Sequence, residues 1–188
     1  MGLNILGNNK YRRINRKILI IRFLILSLCT IFIVGCSSSR RLEKKLHREV
    51  YQSLGLKESR KDNFTLYKEV SSWQNIPHKD GGMSHFGIDC SGLVNVIYKN
   101  VYGIVLERNS ATIFKINCHK ISLSRLKEGD LVFFNTINKS KSDINHVGVY
   151  LKDNKFVHSS ISRGVIISNL DENYYRKTWV CGGRVKNY

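Results

Sequence analysis

From Leu131 onward the chain breaks into short β-branched and aromatic runs bounded by turn residues. These are LVFF (Leu131 to Phe134), HVGVYL (His146 to Leu151), KFVHSS (Lys155 to Ser160), GVII (Gly164 to Ile167) and WVCGGRV (Trp179 to Val185). Upstream, apolar residues recur at helical spacing instead: Leu42, Leu46, Val50 and Leu54; then Phe64, Tyr67, Val70 and Trp73; then Leu93, Val94, Ile97 and Tyr98. Helices followed by strands argue an α+β fold, with an antiparallel sheet of about five strands packed on the helices.

The helical part carries a candidate nucleophile. Asp89-Cys90-Ser91-Gly92 opens the third helical stretch, with Asp89 as N-cap and Cys90 in the first turn, where the helix dipole favours an anion. A thiol is mostly protonated at neutral pH and needs an imidazole or a helix N-terminus to become the attacking thiolate. Two histidines, His146 and His158, lie twelve residues apart on runs split by Asp153-Asn154, which reads as a hairpin. Neighbouring strands can set two such side chains side by side, so His146 can face the helix tip while His158 holds its far nitrogen.

The strings GIDCSGLV, GDLVFF, HVGVY and FVHSSISRGVIIS, in that order, resemble the NlpC family of papain-like bacterial cell-wall endopeptidases, many of them lipoproteins. The resemblance runs from about Trp73 to the C-terminus and implies a papain-like NlpC-type fold with N-terminal helices presenting the cysteine. It further implies Cys90 as nucleophile, His146 as general base and acid, His158 as orienter, peptidoglycan stem or cross-link peptides as substrate, and no cofactor. Many relatives carry Tyr-x-Tyr-Gly-Gly before the nucleophile, whereas this chain has His78-Lys79-Asp80-Gly81-Gly82. A ring N–H of His78 can donate to a developing oxyanion as a tyrosine hydroxyl would, beside the Cys90 backbone N–H. Asp89 and Ser91 flank the nucleophile and can contact a polar end of the substrate, although Asp is also strongly preferred as a cap.

The N-terminus differs from the rest. Residues 1–17 hold five basic residues and no acid, and an apolar stretch follows that ends in Ile33-Val34-Gly35-Cys36. This resembles a lipobox, with residues 1–35 as signal peptide, Cys36 as the lipidated residue and Ser37-Ser38-Ser39 beginning a tether. Phe23 to Val34 is shorter than the roughly 20 apolar residues that span a bilayer, which weighs against a permanent membrane helix. Residues 36–62 read as tether and amphipathic spacer, and residues 63–188 as the peptidase domain. The expected location is the cell envelope, lipid-anchored, on the outer membrane facing the periplasm where the cell has two membranes.

Export changes the meaning of the charge. Of 31 Lys+Arg, six precede Cys36, which leaves 25 against 14 Asp+Glu, or +11, on the mature chain. Nucleic acid is an unsuitable partner in the envelope, while the anionic wall and lipid headgroups suit this charge through long-range attraction. A monomer is expected. Cys118 and Cys181 remain as two buried thiols or a disulfide, the latter only within about 7 Å between Cα atoms. A zinc site from Cys90, His146 and His158 would satisfy a three-ligand pattern, but closely spaced His ligand signatures are missing and no metal is expected. Two alternatives stand beside the peptidase: a wall-binding lipoprotein of weak or no turnover, and an amidase or acyltransferase acting on a non-wall amide.

Overall fold

The computed structural model describes residues 19, 21–22, 39–137 and 143–186. Residues 1–18, 20 and 23–38, and with them the signal and Cys36, lie outside the described residues. The chain divides into two units, Met1–Arg48 and Glu49–Tyr188. In the first, residues 39–48 are helical and exposed, His47 excepted. No helix among the described residues is long and apolar enough to cross a membrane.

In the second unit, helical residues 49–53 (α1) end before Gly55, whose positive φ of 61° suits a residue without Cβ. Val50, Tyr51, Leu54 and Leu56 enter the core. The compact unit therefore starts at Glu49, and residues 49–62, read from the sequence as spacer, contribute to its packing. Two lysines of the later hairpin hold this segment: Lys155 donates to Gly55 O at 2.6 Å, and Lys152 donates to Lys57 O and to Asp62 Oδ2. Helix α2 (Phe64–Trp73) is capped by Asn63, which accepts from Leu66 N, and buries Leu66, Tyr67, Val70 and Trp73.

A two-stranded hairpin, β1 (Met83–Ser84) and β2 (Gly87–Ile88), precedes helix α3 (Cys90–Tyr102). Helix α4 (Ser110–Thr112) runs into a π turn (Ile113–Asn117). The strands are β3 (Cys118–Ile121), β4 (Leu131–Phe134), β5 (His146–Tyr150), β6 (Lys155–Ser160), β7 (Gly164–Asn169) and β8 (Trp179–Val185), with helix α5 (Asn173–Thr178) between the last two. Among the described residues they form one antiparallel sheet in the order β3-β8-β4-β5-β6-β7. The sheet has six strands where the sequence suggested five. The addition is β3, which follows the π turn and pairs with the outer edge of β8, burying Cys118 and exposing His119 and Lys120.

Strand β4 is buried on both faces, which explains its unbroken LVFF: Leu131 and Phe133 join the helix-side core, while Val132 and Phe134 join a second cluster with Phe156, Leu170 and Tyr175. The Asp153-Asn154 turn has φ of 53° and 59°, the left-handed pair that a two-residue hairpin requires. Register also settles the remaining cysteines. Cys118 opposes Val185 while Cys181 opposes Phe133, four residues back along β8, a separation of about 13 Å at 3.3 Å per residue. They are buried free thiols.

Candidate active site

Asp89 caps α3 as its sequence suggests, accepting from Gly92 N at 2.5 Å. Its carboxylate is further occupied by Ser91 Oγ at 2.9 Å and by Arg108, whose Nη1 and Nη2 reach Oδ1 and Oδ2 at 3.1 and 3.0 Å. Ser91 is buried, and Arg108 Nη1 donates to its hydroxyl at 2.8 Å. Burial works against the Asp89 charge, but Arg108, Gly92 N–H and Ser91 together hold its pKa below the ordinary value. Asp89 and Ser91 therefore form a fixed base under Cys90, with Arg108 as the clamp that the sequence did not single out. Gly92 is required there, because a Cβ would lie 2.4 Å from Gly82 O. That carbonyl also accepts from Asp89 N, which ties the Gly81-Gly82 element to the nucleophile.

The β5–β6 hairpin makes the other half. Along β5 even-numbered residues point N–H toward β4, as Tyr150 N does to Asp130 O, and odd-numbered ones toward β6, as Leu151 N does to Lys155 O. The β5–β6 register stops at Val149↔Val157, so above it the strands fork and the N–H of Val147 is released from the ladder. That N–H meets the Cys90 sulfur. The nucleophile at the tip of α3 thus enters the fork one residue from His146.

His146 Nε2 and His158 Nδ1 are 2.8 Å apart, with rings nearly perpendicular. His158 is buried, stacked on Phe156, and its Nε2 lies 3.1 Å from Ser168 Oγ and 3.0 Å from Tyr175 OH. Ser168 in turn donates to Tyr175 at 3.2 Å. One proton arrangement satisfies the chain from end to end: His146 Nε2–H donates to His158 Nδ1, His158 Nε2–H to Ser168, and Ser168 to Tyr175. It leaves Nδ1 of His146 as a lone pair. Ser168 and Tyr175 were not recognised as site residues, since β7 and the six-residue α5 reach His158 only through tertiary packing. The bond between the histidines also uses the nitrogens that a shared cation would need.

The site favours neutral groups. Burial pushes the Cys90 thiol above its ordinary pKa, only partly opposed by the Val147 N–H. Burial and the charge of His78 bring His146 from 6.5 down to about 4, and burial holds His158 well below its ordinary value. Burial thus favours a neutral thiol and a neutral imidazole over an ion pair of the two.

His78 sits against the same fork. Ser159 Oγ donates to Ile88 O at 2.7 Å, so it accepts from His78 Nδ1–H at 2.9 Å. The other nitrogen faces Asp80 Oδ1 at 3.0 Å, in solvent. His85 is remote from this chemistry and stacks on Trp73 with ring centroids 4.0 Å apart. The loop before His146 is stapled at its base, where Asn145 Oδ1 accepts from Thr136 N and Oγ1, both at 2.9 Å, while residues 138–142 lie outside the described residues. A cleft of about 290 Å³ is lined by Thr136, His146, His158, Ser160 and Arg163, and by α5 through Tyr174 and Tyr175. A larger depression of about 860 Å³ around Phe114, Lys115 and Cys181 contains none of Cys90, His146 or His158.

Residues 75–184 match the NlpC/P60 family. The chain is 39% identical over 120 residues to the probable endopeptidase NlpC homolog of Haemophilus influenzae, an overlap of 64% of this chain and 61% of that protein. It is 35% identical over 114 residues to murein DD-endopeptidase MepS/murein LD-carboxypeptidase of Escherichia coli, covering 61% of this chain and 58% of that one. The fold is similar to that of an NlpC/P60 family protein from Bacillus cereus, with a TM-score of 0.57 and 30% identity over 64% of this chain and 38% of the other. With the family match covering more than half of its length and the same helix-on-sheet architecture beneath it, the chain belongs to the NlpC/P60 family.

Proposed function

We propose that the protein is a peptidoglycan endopeptidase that hydrolyses amide bonds of stem or cross-link peptides through Cys90. The observation that carries this reading is the 2.8 Å bond between His146 and His158, which orients an imidazole one residue from the N–H that touches the Cys90 sulfur. His146 Nδ1 takes the thiol proton as sulfur attacks the scissile carbonyl carbon. The C–N bond breaks as the same nitrogen returns that proton to the leaving amine. Water, deprotonated by His146, then attacks the thioester and releases a carboxylate and the free thiol. The Cys90 backbone N–H and His78 Nε2, once it exchanges Asp80 for substrate, are the oxyanion donors. Asp89, Ser91 and Arg108 form the wall beside the acyl group.

The wall as substrate is supported by the family and by the relative named a murein endopeptidase. Incubating intact sacculi with the protein and with Cys90→Ala, and weighing released fragments by mass spectrometry, tests it: new peptide ends from the native protein alone are expected. Binding without products, equal for both proteins, would instead favour a wall-binding role, and neither binding nor products would point to another amide. Lipidation at Cys36 and an envelope location, outer membrane in a two-membrane cell, complete the reading on sequence grounds. Labelling with a palmitate analogue that persists in Cys36→Ser would refute the anchor.

A further inference from the structure

The helical residues 39–48 lie outside the compact catalytic unit and take no part in the reaction just described. Of the leucine stripe read from the sequence, Val50 and Leu54 are buried, at 5% and 3% exposure, whereas Leu42 and Leu46 are exposed by 66% and 40%. Leu42 and Leu46 are four residues apart on a helix, so they form one row along a single face. Arg41 and Lys45, at the same spacing, form the adjoining row, and Arg40, Lys44 and Arg48 fall on the face beyond it. All five are exposed, and the one acid among these residues is Glu43. Leucines bordered by a basic row are the pattern of a helix that lies in the plane of an anionic lipid surface. The segment is about 15 Å long, roughly half the hydrocarbon thickness, so it suits lying along a bilayer and not crossing it.

Position in the chain adds to composition. The helical segment starts at Ser39, and the three residue steps from Cys36 span at most about 11 Å whatever their conformation. With a lipid on Cys36, the first helical turn is therefore held about one Debye length from the headgroups, where each Lys or Arg gains about fivefold in partition to an anionic membrane. We propose that residues 39–48 are a docking helix for an anionic phospholipid surface, Leu42 and Leu46 entering the acyl boundary and Arg41 and Lys45 meeting headgroup phosphates. The inference rests on the proposed envelope location and anchor, and adds a second contact between the protein and its membrane.

The test uses the full chain with vesicles of phosphatidylcholine, alone or mixed with phosphatidylglycerol, read by flotation and by amide hydrogen exchange of the peptide that covers residues 39–48. On the anionic vesicles this peptide should exchange about tenfold more slowly than on the neutral ones, and the double variant Arg41→Gln with Lys45→Gln should lose that protection, since two basic residues together are worth about twenty-five-fold. Leu42→Gln with Leu46→Gln should lose it as well. Both double variants should keep the thermal midpoint of the native protein, because the four side chains are exposed and lie outside the compact unit. Flotation with both vesicles and equal exchange on the two, or slowed exchange that the double variants retain, overturns the docking helix while leaving membrane attachment intact. Flotation with anionic vesicles alone, lost in either double variant, upholds the helix and refutes the anchor. Flotation with neither refutes both, and slowed exchange on lipid-free sacculi in place of vesicles assigns the surface to the wall and overturns the proposal.

Discussion

The resting charge state of His146 can be tested through stability. The ring is packed against His158 and Phe134, and its pKa is brought from 6.5 down to about 4. The unfolded chain takes up the proton near 6.5 while the folded one resists until about 4, so the unfolded state binds more protons in that window. Stability is therefore fully present above pH 6.5 and falls as pH drops toward 4, by about 3 kcal/mol at 1.36 kcal/mol for each pH unit. Urea midpoints measured from pH 8 to pH 4, at roughly 1–3 kcal/mol per molar, resolve a change of this size. Carboxylates elsewhere also weaken the fold in acid, so the informative quantity is the difference from His146→Gln, which keeps a donor toward His158 and has no titrating ring. That difference should be flat above 6.5 and move by about 3 kcal/mol in favour of the variant as acid is added. Parallel curves would refute the neutral buried imidazole. The thiol gives an independent check: alkylation of Cys90 by iodoacetamide, read on its own peptide by mass spectrometry, should climb through alkaline pH. A plateau near neutrality would restore the ion pair.

Three further outcomes are expected. Tyr175→Phe removes the hydroxyl 3.0 Å from His158 Nε2, and a hydrogen bond worth about 1 kcal/mol predicts roughly fivefold lower kcat with KM unchanged, measured on soluble wall peptides. Gly92→Ala puts a methyl 2.4 Å from Gly82 O, so thermal unfolding should show about 1–3 kcal/mol of destabilisation together with lost turnover, because the tip of α3 must move. Asp130→Ala leaves Arg184 and Lys127 N without the buried carboxylate they share, at 2.7 and 2.6 Å, and should cost about 3 kcal/mol in urea unfolding while sparing the geometry around Cys90.

Local rules carried much of this molecule. The cap at Asp89, the period-3.6 stripe of α3, the β-branched runs and the Asp153-Asn154 turn each depend on a few adjacent residues, so they can be read before anything folds. The same holds for the apolar face of α2, where Tyr67, Val70 and Trp73 face inward. Strand β3 escaped because CHKI is too short to show an alternating pattern and is a strand by virtue of pairing with β8. Helix α5 escaped because NYYRKT has no apolar stripe, its one buried residue being Tyr175.

By itself the sequence determined which groups are available: a capped thiol, two imidazoles on one hairpin, and the order of helices and strands that brings them to the same end of a sheet. Tertiary structure decided their state and their neighbours. The fork between β5 and β6 frees Val147 N–H for the sulfur, Arg108 arrives from the far end of α3 to clamp Asp89, and Ser168 and Tyr175 close the proton chain behind His158. Burial then disfavours the charged forms of thiol and imidazole. The reason is physical: residue identity supplies chemistry, but desolvation and hydrogen-bond partners come from residues distant in the chain, and those two terms set protonation.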